Sequence, residues 1–205
     1  MVVVSERDGR RRLEPYLATL CKAITSGDRL FQERYASNRS EWKSRSVSSV
    51  RNDLIVSEAK RLFDPDPDVR FESRYGREIM YIGDIAVIVF KKLNRRKRTM
   101  NIPTQLTLEL FKQQPLPFMP DETPRFVAGW QVDSLNIAVQ SVFITHPNGR
   151  WLEWSFRPDE DEGEQKTIRI TPTRTPPALG PAVKTKVQKE AEEDGRARHK
   201  PTASS

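Results

Sequence analysis

Six cations, Lys91, Lys92, Arg95, Arg96, Lys97 and Arg98, fall within the eight residues of "KKLNRRKR" with no acid among them. At that density lysine and arginine suit a polyanion, because each phosphate neutralised releases counterions. The run directly follows "DIAVIVF", the most apolar stretch of the chain, which reads as a strand covered on both faces. The cations are therefore expected to project from a sheet end or from a loop just past it. The next residues, "NIPT", offer Asn101 as a cap and Pro103 in a first turn, so a helix start with free amide donors should lie beside them. The competing reading is a solvated charged loop that keeps a sheet end from aggregating.

Aromatic residues beside cations could add base stacking. Trp42 lies in "RSEWKSR", flanked by Arg39, Lys43 and Arg45, and a loop tryptophan in that setting suits a single-stranded base or a protein partner. Trp130, Trp151 and Trp154 fall on expected strands, where core or cross-strand packing is their ordinary use. The expected site is thus Lys91, Lys92, Arg95, Arg96, Lys97 and Arg98 with Trp42 and Lys43.

Catalytic chemistry finds little to work with. The two histidines are His146, read as a residue at a turn, and His199 far along the tail, and the single cysteine is Cys21. No imidazole pair, thiol-based zinc site or glycine-rich phosphate loop can be assembled from these. A metal-dependent nuclease would need carboxylates beside a lysine, and Glu78, Asp84 and Lys91 follow one another along expected strands. The acid two places before the lysine is missing, since Val89 and Phe90 stand there. A helix-turn-helix over residues 18–36 has a suitable Ala23 and Gly27 but puts Asp28 and Glu33 at positions that must turn inward. No catalytic residue, metal or cofactor is expected.

The elements that must carry these residues follow from periodicity. Residues 1–12 are highly charged and read as a mobile basic arm. Leu13, Leu17, Leu20, Cys21 and Ile24 recur at helical spacing, with Pro15 in a first turn, until "TSGD" stops the helix. A short second helix follows with Leu30, Phe31 and Tyr35. After the polar loop "SNRSEWKSRS", the apolar positions Val47, Val50, Leu54, Ile55, Ala59 and Leu62 trace a longer helix that "DPDPD" ends. From Val69 the period becomes two, giving a three-stranded meander with turns at Gly76 and at Gly83 and Asp84. One helix then carries Leu106, Leu110 and Phe111. Strands resume from Phe126, and Asn148 with Gly149 marks a hairpin before "RWLEWSF".

The chain thus reads as an α+β domain over residues 13–157, helical over 13–66 and β-rich over 67–157. Its expected architecture is a helical layer on a mostly antiparallel sheet of about six strands, with one helix between two three-stranded units. Residues 158–205 contain no aromatic residue and read as a disordered tail. Of the formal charge of +7, residues 1–156 hold +6, from 25 basic and 19 acidic side chains, which equals the charge of "KKLNRRKR" alone. The basicity is local, as a binding patch requires. One cysteine fits a reducing cytoplasm, and no apolar run approaches a membrane span. The function this predicts is non-enzymatic nucleic-acid binding through the basic loop. Its rival is a protein-interaction module, such as one component of a small regulatory or toxin-antitoxin pair, that meets an acidic partner.

Overall fold

The computed structural model describes residues 4–74, 76–100, 105–113, 123–149 and 151–159. Two long helices, α1 (Glu6–Tyr35) and α2 (Ser44–Phe63), precede six strands: β1 (Val69–Arg74), β2 (Arg77–Ile82), β3 (Ala86–Lys92), β4 (Arg125–Val132), β5 (Val139–Asn148) and β6 (Trp151–Phe156). A short helix, α3 (Gln105–Phe111), lies between β3 and β4. The strands form one sheet in the order of the chain. Every pairing is antiparallel except β3 with β4, which is parallel and sets Lys92 against Trp130. The expected α+β architecture holds, and its two β units share a single sheet.

Alternation along the strands sends side chains to two separate cores. Met80, Ile82, Ile88, Phe90, Phe126, Trp130 and Ile144 pack beneath Leu13, Leu20, Ile24 and Ile55 of the long helices. On the other face Tyr81, Val87, Val89, Leu93, Val127 and Phe143 pack with Leu110 and Phe111 of α3. Because β3 is covered on both faces, its apolar run has no polar face, as read from the sequence.

The N-terminal third departs from expectation in three places. Residues 6–12 are not an arm but the first turns of α1, where Ser5 Oγ accepts a hydrogen bond from the Asp8 amide at 3.1 Å. Pro15 sits inside that helix, on its exposed side, rather than in its first turn. Gly27 does not end the helix: it is buried mid-helix, where a Cβ would lie 2.5 Å from the Ile55 Cα. Its missing side chain lets α2 approach, so a residue that reads as punctuation acts in packing. The expected cap at Asn101 and the tail from residue 160 lie outside the described residues.

Candidate functional site

The six cations of "KKLNRRKR" do not form one patch. Lys91 and Lys92 belong to β3, so pleating points them to opposite faces. Lys92 lies under the helical layer, where its Nζ donates to Asn136 Oδ1 at 2.8 Å. Burial, and then the Arg51 guanidinium, holds its pKa below the usual lysine value. Lys91 lies on the α3 side and is half-buried. Burial again lowers its pKa, Arg77 adds to the effect, and Asp53 opposes it.

Beyond them the chain reverses through a tight turn over residues 94–98. Asn94 organises it with both backbone and side chain. Its amide donates to the Arg98 carbonyl and its carbonyl accepts from the Lys97 amide, each at 2.9 Å. Its Oδ1 accepts from the Arg96 and Arg98 amides at 2.9 and 3.0 Å. Gln131 Nε2 also donates to the Asn94 carbonyl, fastening the turn to β4. Lys97 occupies the left-handed region with φ 58°, and an isolated bridge between Leu93 and Thr99 closes the base. The side chains therefore start from a fixed backbone, and an Asx-type turn explains why an asparagine interrupts the cations.

Those side chains divide again. Lys97 Nζ lies 4.7 Å from the ring centre of Phe143, and the Arg98 guanidinium 5.0 Å from that of Trp151. Arg95 and Arg96 are exposed and form no ion pair with an acid among the described residues. Trp151 is 67% exposed. Sequence reasoning assigned it to ordinary strand packing; the arginine on its indole places it in the basic surface instead. The two residues are 53 apart in sequence, and no local pattern announces the pair.

Trp42 and Lys43 fall elsewhere. Trp42 is half-buried against Tyr35 with ring centres 5.6 Å apart, and Tyr35 leans on Phe31 at 6.1 Å. The Arg51 guanidinium lies 4.5 Å from the Phe31 ring centre and donates to the Ile137 carbonyl at 2.7 Å. Arg51 is fully buried and lies 2.9 Å from Asp28, whose other oxygen accepts from the Val139 amide at 2.9 Å. Through Asn136 this network reaches Lys92, so Trp42 is linked to Lys92 on the helical side and not to Lys97 or Arg98. Lys43 is exposed at the start of α2 and makes no capping bond through its side chain.

Comparison with protein-family models, curated proteins and solved structures finds no match. Geometry alone carries the functional reading.

The nuclease constellation is not assembled. Glu78 pairs with Lys60 of α2 at 2.8 Å, on the sheet face opposite Lys91. Among the described residues no group of three or more His, Cys, Asp or Glu converges as metal ligands would. His146 is not a turn residue but a buried one within β5. It is stacked on Trp154 with ring centres 5.1 Å apart, and its Nδ1 lies 3.1 Å from the Arg125 carbonyl. No helix among the described residues is long and apolar enough to cross a membrane.

Proposed function

We propose that this protein binds nucleic acid without catalysing a reaction on it, using the turn at residues 94–98 to meet the phosphate backbone. The carrying observation is the combination of Asn94's hydrogen bonds with the exposure of Arg95 and Arg96, which pair with no acid among the described residues. A solvated protective loop has no need of a fixed backbone, whereas phosphate binding gains from cations whose backbone is already ordered in folding, leaving only their side chains to order. Lys91 and Lys92, being built into the sheet, add field rather than direct contact.

Filter retention of labelled nucleic acid across a salt series tests this. Replacing Arg95, Arg96, Lys97 and Arg98 by Glu should abolish retention while leaving the melting transition in place. The milder pair R95E and R96E should flatten the slope of log K against log salt by about 0.9 on a duplex, or about 0.7 on a single strand, for each phosphate no longer neutralised. Retention by the fourfold variant equal to that of the wild type would remove the turn from the interface. Failure of the wild type to bind at low salt would sink this reading and leave the surface to an acidic protein partner or to solvent.

A further inference from the structure

Resting on that reading, we infer that the ligand is single-stranded, and that Trp151 is the platform on which one of its bases stacks. Among the described residues only three large hydrophobic side chains are prominently exposed: Met100, Leu135 and Trp151. Two of the three belong to the basic turn's surroundings. Trp151 carries the Arg98 guanidinium 5.0 Å from its ring centre, and Met100 follows Arg98 by two residues and is 65% exposed. Leu135 lies apart, in the loop between β4 and β5.

An exposed indole at the start of an edge strand needs an occupant or a reason. Packing does not supply one, because Trp151 points away from the core that holds Trp154 and Phe156. A base does. Every base has a π-face, an indole receives it without regard to sequence, and a guanidinium on the ring strengthens the cation–π term. In a duplex the base faces are already stacked on one another and are withheld from a flat surface residue. Phosphates then meet Arg95 and Arg96, whose side chains make no ion pair with the described acids. The chemistry is shared by single-stranded RNA and DNA, and the ring by itself does not distinguish the sugars.

The test compares oligouridine, oligothymidine and a mixed-sequence duplex of equal length, by fluorescence anisotropy at low and moderate salt with the full chain. Either or both single strands should bind more tightly than the duplex, and the two arms report which sugar is preferred. Trp151→Ala should weaken single-strand binding at least about tenfold with an unchanged salt slope, since stacking involves no counterion. Trp151→Phe should restore most of the loss. Trp151→Leu, which keeps an apolar side chain on the strand, should not, and it serves as the readout should the alanine variant prove unstable. Duplex bound as tightly as single strands, or equal affinity of the leucine variant and the wild type, would overturn the single-strand inference while leaving the basic turn as a phosphate-binding element. Binding that survives charge reversal of the turn but falls with Trp151→Ala would sink the proposed phosphate role of the turn and leave the platform standing.

Discussion

At the scale of single residues, the strongest commitments are buried and polar. Arg51 is inaccessible to solvent and Asp28 only 7% exposed, so the pair is held in a low-dielectric site. Truncating one partner leaves the other buried without its counter-charge, which costs about 3–5 kcal/mol. Asp28→Ala should therefore shift the urea midpoint sharply, and it also strips the Val139 amide of its acceptor. The double variant with Arg51→Met should lose less than the sum of the single losses; strict additivity would show that the pair does not act as a unit. His146 offers a different handle. Burial is the main influence on its imidazole and lowers its pKa, against upward pulls from the Arg125 carbonyl and Glu153. A depressed folded value means stability is fully present above the unfolded pKa of about 6.5 and is lost as pH falls through the folded one. Melting temperature should decline as pH falls below about 6.5, and His146→Asn, which keeps a donor for the Arg125 carbonyl but cannot titrate, should flatten that decline.

At the scale of elements, the packing of α1 on α2 turns on Gly27. Alanine there would gain about 1 kcal/mol of helix propensity over glycine. Its Cβ would meet the Ile55 backbone at 2.5 Å, and a backbone atom cannot swing aside as a side-chain end can. Helix separation should win, and Gly27→Ala is expected to destabilise by about 1–3 kcal/mol in denaturant titration. The same glycine shows where sequence reading stopped. Each of the six described strands was legible, because alternation and turn residues are local signals, and so was the Asn148 and Gly149 hairpin. The continuity of α1 was not, because Gly27 and Pro15 are local breakers overruled by α2 and by the β5–β6 hairpin. The candidate site was half legible. Charge density pointed to residues 94–98, but the pleat separates Lys91 from Lys92, and Trp42 is committed to Tyr35. Trp151 required a pairing across 53 residues that no periodicity encodes.

At the scale of the whole molecule, much of the packing is between elements consecutive in the chain: α1 with α2, β1 through β3, and β4 through β6. Other contacts span the chain, Asp28 to Val139 and β3 to β4 among them, and the longest of those described is the return of β6 to the first helix. Trp154 Nε1 donates to the Val4 carbonyl at 2.7 Å across 150 residues, Gly9 makes room for the same indole, and the Arg10 guanidinium lies 4.1 Å from the Phe156 ring centre. A closure that long gives back its chain entropy only after the local units exist. This seam is therefore expected to form late in folding and to open early in unfolding. Trp154→Phe, which removes the indole donor and also the ring atoms seated against Gly9, should cost more than the about 1 kcal/mol of the hydrogen bond alone, about 1–3 kcal/mol. In stopped-flow kinetics that loss should fall almost wholly on the unfolding limb, with the refolding rate unchanged. A slowed refolding limb would instead make the meeting of α1 with β6 part of the nucleus. If the seam opens first, the lifetime of the native state is set where the first helix meets β6, and not at the buried Arg51 and Asp28 pair.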